Sequence, residues 1–349
     1  MKPSWVLHSV SRAGLFGALA VGLATLSLAC SDDGPADAPE RVLFMAGFKA
    51  QANLPFVAAY VAQERGYFSD QGLDVEIRHA PKGGHLQLLL SGDVDFTTAA
   101  ATSVLKRRAN PDIQVVAFVL FGQLGQQAYI ALDNSGIKTV KDWEGKTFGY
   151  KISVPPDYLA MLKANGVDRS KITEVNAGFD PRVLTEGKFD ILAVFKSNEP
   201  DTLRRIGFEV TSWEPESYGI PNMGLTYITR QEMVDEKPHL ISKFLKATLK
   251  GVEYAFDNTE ETLDIILEYA PNEDREHQRF MLETELADAV SSLTQENGLG
   301  WMTDEQWKRL YDLLLECECE ALPNPFDYRT AFTDRFLREV YQGGELRWP

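Results

Sequence analysis

From residue 41 onward, short apolar runs alternate with longer stretches whose apolar positions recur at helical spacing. Strand, helix and strand in succession pair in parallel through a crossover, so this alternation commits the chain to the α/β class. Val42–Ala46, Leu73–Ile77, Val94–Thr98 and Gln114–Phe121 read as strands. Pro55–Arg65 reads as a helix closed at Gly66, His85–Leu90 as one stopped by Ser91-Gly92, and Ser103–Arg108 as a third. A second set of strands follows at Tyr129–Leu132, Thr147–Tyr150, Ile172–Asn176, Ile191–Phe195, Glu209–Ser212 and Leu225–Thr229. It includes a turn at Asp142-Trp143 and helices at Tyr158–Asn165 and Thr202–Ile206. From Pro238 long amphipathic segments dominate, and helices are expected over His239–Phe256, Glu260–Tyr269, Arg275–Leu293, Thr303–Glu318 and Thr330–Tyr341.

The 349 residues are enough for about two domains. The pattern divides into a first α/β lobe over 41–124, a second over 125–230, and a helical return over 231–349 that packs on the first lobe. The chain then crosses between lobes near 122–128 and again near 218–232. Paired crossings make a hinge, and a hinge between lobes makes a ligand cleft.

Residues 1–29 read as a signal peptide. Lys2 and Arg12 form a basic start without acids, and Ala13–Ala29 is apolar or small. That run is shorter than the roughly 20 residues a spanning helix needs. Cys30 follows Ala29 directly and resembles the lipid-accepting cysteine of bacterial lipoproteins, although Ser27 stands where a leucine is usual. A plain secretory signal or an uncleaved anchor is the alternative. Residues 30–40 contain no large apolar side chain and read as a solvated tether.

Lys and Arg number 35 against 51 Asp and Glu, a formal net charge of −16. So acidic a chain does not hold a nucleic acid backbone. Three cysteines exclude a disulfide scaffold. Cys317 and Cys319, two apart on an expected helix, point away from each other and make a poor metal or disulfide pair. A mean hydropathy of −0.22 excludes a polytopic membrane protein. GxSxG, HExxH, a P-loop and GxGxxG are all absent, so no catalytic residue, metal site or cofactor is assigned.

In an open α/β sheet, ligands sit beyond the carboxyl ends of the strands. Gly47–Pro55 follows the first strand and offers Phe48, Lys49, Gln51 and Asn53. Pro81–His85 opens a helix whose N–H groups suit an anion or carbonyl; His85 itself fits a surface or cap role better than a base. Phe96–Thr102 leaves the third strand with small residues and hydroxyls, Thr98 among them. Phe195–Pro200 follows a second-lobe strand and places Asn198 beside Glu199. Pro200 favours an extended Glu199, whose carboxylate would accept from ring N–H groups while the amide both donates and accepts. The plainer alternative is that Asn198 or Asp201 caps the helix that follows. Tyr150, before a proline-stiffened loop, is a weaker candidate.

Tyr60–Val75, read as YVA-x-E-x-GYF-x-x-x-GLDV, resembles substrate-binding proteins of ABC importers for nitrate, sulfonates and thiamine-pyrimidine precursors, to which the yeast pyrimidine synthases are related. Supporting matches are Ser91–Phe96, Trp143–Gly149, Lys188–Asp190 and Asn198–Pro200; together they span about residues 41–270. The resemblance implies a two-lobed periplasmic-binding-protein fold of type II that hands a small molecule to a membrane permease and its ATPase. It also implies a monomer at the extracytoplasmic face of the cell membrane, anchored at Cys30. Thiamine-precursor binders carry DWxPNxxH after the first strand; here Phe48 or Ala50 replaces the Trp and the His is lost. AGFKAQANLPFVAAYVA, with Gly122-Gln123 and Ser197–Pro200, looks more like the riboflavin-uptake branch. A tricyclic ring needs flanking aromatics, for which Phe48, Phe121, Tyr150 and Phe195 are available. Gln51, Asn53, Gln123, Asn198 and Glu199 would meet the ring edge and hydroxyls, with Thr98 beside them. A thiamine pyrimidine, or another small solute such as a sulfonate, is the alternative ligand. The alternative of a different class is a heterocycle-processing enzyme.

Overall fold

The computed structural model describes residues 38–316, 322 and 326–349. The expected signal peptide, Cys30, the tether up to residue 37, and Cys317 and Cys319 lie outside the described residues.

Strands β1 (Glu40–Ala46), β2 (Leu73–His79), β3 (Phe96–Ala100) and β4 (Val115–Leu120) belong to a first sheet. Strands β5 (Gln127–Leu132), β6 (Thr147–Tyr150), β7 (Thr173–Asn176), β8 (Ile191–Phe195) and β9 (Val210–Trp213) form a second. The chain then returns, and β10 (Leu225–Arg230) completes the first sheet. The orders are β2-β1-β3-β10-β4 and β7-β6-β8-β5-β9. All six residues of β4 are buried, as suits a strand covered on both faces, whereas β2 at the edge alternates buried and open.

The expectation of wholly parallel pairing needs correction. β10 runs antiparallel to β3 and β4, and β5 antiparallel to β8 and β9. Each of these strands is the first its sheet receives after a crossing, so it enters from the opposite end. This fixes the polarity of both sheets. β4 leads out toward the second sheet at Leu120, and β1 and β3 run the same way as β4. In the second sheet, Gln127 at the start of β5 pairs with Phe195 at the end of β8. The carboxyl ends of β1, β3, β6 and β8 therefore all lie on the side where the chain crosses.

One large core joins the first sheet to the helices after residue 231. The helix Leu54–Glu64 is buried from Leu54 through Ala62, so it packs on all sides. The helix Pro238–Asp257 lies against it, and a Cβ at Gly251 would collide with the Ala58 carbonyl, so the residue must be glycine. In the second sheet, alternate β5 residues feed two smaller cores: Tyr129 and Ala131 on one face, Ala128 and Ile130 on the other.

Two long expected helices are shorter than their apolar spacing implies. Arg275–Leu293 breaks into Arg275–Asp288 and Ser292–Asn297. Ser291 is extended and forms a capping box with Thr294 that starts the second helix. Thr330–Tyr341 becomes a 3-10 turn at Tyr328–Ala331 and a helix over Arg335–Val340. Between them the Thr333 N–H bonds the Ala117 carbonyl at 2.9 Å, drawing the chain along β4 instead. The third strand also starts later than its apolar run, at Phe96.

Candidate functional site

The β1 carboxyl end leads into Gly47, whose N–H donates to Thr98 Oγ1 at 3.1 Å. A Cβ on Gly47 would lie 2.7 Å from that oxygen and 3.1 Å from His85 Nε2, so two strand ends and a helix start meet where only glycine fits. His85 Nδ1 is buried without a partner, and burial, aided by Arg107, lowers the imidazole pKa. Phe48 packs half-buried against the first core. Lys49 pairs with Glu273 at 2.5 Å. Gln51 Nε2 donates to Asn53 Oδ1 at 2.6 Å, and both side chains are buried.

The other wall is built at the carboxyl ends of β6 and β8. Tyr150 is half-buried against the larger second-lobe core. The next residue, Lys151, pairs with Glu199 Oε1, and the Phe195 N–H donates to Glu199 Oε2 at 2.8 Å. Both partners are buried, at 11% and 6% side-chain exposure, and burial pulls the Lys151 pKa below its ordinary value. The Lys151 ammonium sits 3.7 Å from the centre of the Phe195 ring.

These positions correct the expectation for Glu199. It is the first residue of the helix Glu199–Arg205 rather than extended, with Pro200 in the first turn, where its missing N–H costs nothing. Its carboxylate is already bonded at both oxygens. Asn198 holds the capping position but makes no capping bond; its Oδ1 lies 3.1 Å from His277 Nε2.

The helix Arg275–Asp288 joins the two walls. Its Gln278 accepts from the Ala52 N–H at 2.7 Å, and Glu285 accepts from Asn53 Nδ2 at 3.0 Å and the Leu54 N–H at 3.2 Å. The same carboxylate accepts from Ser197 Oγ at 3.1 Å and from Gln126 on the crossing segment. His277 Nδ1 lies 2.8 Å from Asp201, Arg205 pairs with Asp274 at 2.7 Å, and Lys196 pairs with Asp288 at 2.9 Å. Burial raises the Glu285 pKa against its four donors and pushes Asp288 up to about 7 against the Lys196 charge. For Lys196, burial is outweighed by Asp288 and its neighbouring acids, and its pKa rises.

Gln51, Asn53, Asn198 and Glu199 are thus gathered around one helix, with Phe195 beside Lys151 and Glu199, Tyr150 on the second-lobe core and Thr98 against Gly47. Gln123 and Phe121 are engaged otherwise, although the Gln123 N–H also reaches this helix, donating to the Asp288 carbonyl at 2.8 Å. Gln123 donates to the Trp301 carbonyl at 2.8 Å and accepts from Gln306 at 3.1 Å, so its amide fastens the C-terminal segment to the crossing. Phe121 is buried edge-on to Tyr227, ring centres 4.5 Å apart, in the first core. Sequence reasoning missed Lys151, Gln126, His277 and Glu285. Lys151 was within reach of the strand-end rule. Glu285 was not, because its partner Asn53 is 232 residues away. A separate cavity of about 860 Å³ lies between the helices Pro156–Ala164 and Asp304–Glu316, and none of the expected ligand residues lines it.

The NMT1/THI5-like family pattern matches residues 53–262, more than half of the chain. The protein belongs to the NMT1/THI5-like family. Among relatives of this family member, the riboflavin-binding protein RibY of Chloroflexus aurantiacus is 27% identical over 82% of this chain and 83% of its own. The formylaminopyrimidine-binding protein of Halalkalibacterium halodurans is 27% identical over 73% of this chain and 79% of its own. The periplasmic aliphatic sulphonate binding protein SsuA of Escherichia coli superposes with a TM-score of 0.64 at 14% identity, over 89% of this chain and 95% of that one. The two-lobed α/β fold of this NMT1/THI5-like protein is therefore that of the periplasmic binding proteins. Among the described residues no helix is long and apolar enough to cross a membrane.

Proposed function

We propose that this protein is the substrate-binding component of an ABC importer and that it captures a small flat heterocycle, riboflavin first, for delivery to a membrane permease. The observation that carries the reading is that the segments after strand ends of both sheets bring amide and hydroxyl side chains, Asn53, Asn198 and Ser197, to one helix, Arg275–Asp288, bonded to both walls. Phe48, Gln51, Asn53 and Thr98 would contact the ligand from the first lobe, and Tyr150, Phe195 and Asn198 from the second. Glu199 would act through Lys151, and Gln123 would hold the hinge side. Names among the relatives favour a vitamin or its precursor. A formylaminopyrimidine is the second ligand in order. The leader at 1–29 and Cys30 fit a lipid-anchored monomer on the outer face of the membrane.

Closure is favoured only by as much as the ligand binds the closed form better than the open one. Titrating purified protein into riboflavin and following flavin fluorescence tests the reading. Saturable quenching at micromolar protein, with riboflavin recovered unchanged, is expected. No quenching rejects riboflavin, and chemical conversion of the flavin rejects a binding role in favour of an enzyme.

A further inference from the structure

Three residues stand in a row along the second sheet. The strand order β7-β6-β8 sets the segments after their carboxyl ends side by side. The first carries Phe179, the second Lys151 and the third Phe195 at the strand terminus. The Lys151 ammonium lies 3.7 Å from the Phe195 ring centre and 5.8 Å from that of Phe179. Both rings are open to solvent, Phe179 by 56% and Phe195 by 38%, whereas the ammonium between them is held in by Glu199. Ile152, beside Lys151, is 80% exposed. Large apolar groups at the strand termini, uncovered and grouped about one largely buried cation, form an exposed aromatic wall.

The chemistry of this wall differs from that of a free carboxylate. Both Glu199 oxygens are engaged, so the group it presents is the Lys151 ammonium, which has three donors and no acceptor. We infer that Lys151 is a specificity-determining residue. It selects planar heteroaromatic ligands by the carbonyl edge turned toward the second lobe, with the exposed rings of Phe179 and Phe195 flanking that edge. This deepens, and rests on, the reading of the cleft as a heterocycle site. Aromatic faces supply area and stacking, and the charge-assisted bond supplies discrimination. An N–H edge turned to this wall is repelled, because it meets a cation where the sequence alone promised a carboxylate.

The test measures binding of riboflavin, lumichrome, phenazine (a tricycle of similar size without carbonyls) and an aliphatic sulfonate by calorimetry. It uses the wild type, Phe179→Ala, and Lys151→Met with Glu199→Gln, the pair being changed together so that no buried charge is left alone. Expected are a preference of the wild type for lumichrome over phenazine of tenfold or more, its collapse to near unity in the double variant, and weaker binding of both tricycles to Phe179→Ala. If the wild type binds lumichrome but not riboflavin and the double variant still loses the preference, the riboflavin reading fails and the inference stands. An unchanged preference in the double variant overturns the inference and leaves the riboflavin reading intact. Wild-type binding of the sulfonate alone, or of nothing in the panel, overturns both.

Discussion

At the scale of single residues, the Lys151–Glu199 pair is the most exacting arrangement in the second lobe. Removing one member strands the other charge where water cannot reach it, which costs about 3–5 kcal/mol when burial is complete and somewhat less for the small exposure Lys151 keeps. Lys151→Ala should therefore lower stability by about 2–4 kcal/mol in urea unfolding, and Lys151→Met with Glu199→Gln should recover most of the loss. Equal midpoints for Lys151→Ala and the wild type would show that the pair does not hold this corner. Gly47 makes a second test. Alanine there must displace Thr98 Oγ1, at a cost of about 1–3 kcal/mol, and a simultaneous Thr98→Ala should return part of it. Calorimetric melting of the two variants measures both effects. Glu199 was legible in the sequence as a carboxylate beside an amide at a strand end, although Pro200 pointed to an extended residue where a helix begins. Its pairing with Lys151 was not, since Lys151 lies 48 residues earlier and strand neighbours are chosen by sheet order, which no local pattern encodes.

At the scale of elements, the helix Arg275–Asp288 carries more than its amphipathic spacing announces. Its apolar positions, Met281, Leu282 and Leu286, made it readable as a packed helix. Two of its carboxylates, Glu285 and Asp288, which the amphipathic spacing did not single out, are buried. The direction of their pKa shifts gives a testable sign. Asp288 titrates near 7 in the fold, against about 3.9 in an unfolded chain, so the fold binds its proton more tightly. Its contribution to stability is then complete below about pH 4 and is lost as pH rises toward 7. The loss is at most about 1.4 kcal/mol for each pH unit. Glu285, raised by the same burial, acts in the same direction. Asp288→Asn should flatten this slope, so the stability of the wild type relative to the variant should fall between pH 4 and 7. Urea unfolding of both proteins across that range reads it directly, and parallel curves would contradict the assignment. Ser291 explains why the helix stops where it does. The Ser-x-x-Thr spacing was present in the sequence, but the run of apolar residues across it outweighed the cap in any reading by periodicity.

At the scale of the whole molecule, both sheets and their strand directions follow from one fact, that the chain crosses twice. The crossings meet closely: the Gly224 N–H bonds the Gly122 carbonyl at 3.0 Å, and a Cβ on Gly122 would come within 3.1 Å of Gly224 Cα. The lobes are therefore joined by a narrow double strap, and the helix Arg275–Asp288 adds further links between the walls, Glu285 among them. That carboxylate bonds Asn53 and the Leu54 N–H on one side and Ser197 on the other, so its loss should loosen the approach of the lobes without unfolding either sheet. A hydrogen bond to a charged group is worth about 1.5–3 kcal/mol. Glu285→Ala withdraws several, some of which water replaces in the opened form. The ligand must then supply closing energy that the helix previously provided, and each 1.4 kcal/mol of that debt is a factor of ten in affinity. Glu285→Ala should thus enlarge the radius of gyration of the free protein in X-ray scattering. It should also weaken riboflavin binding about tenfold or more, while the riboflavin-bound form returns close to wild-type dimensions. A variant with the scattering profile and affinity of the wild type would mean that the helix Arg275–Asp288 merely fills the space between the lobes and takes no part in holding them together.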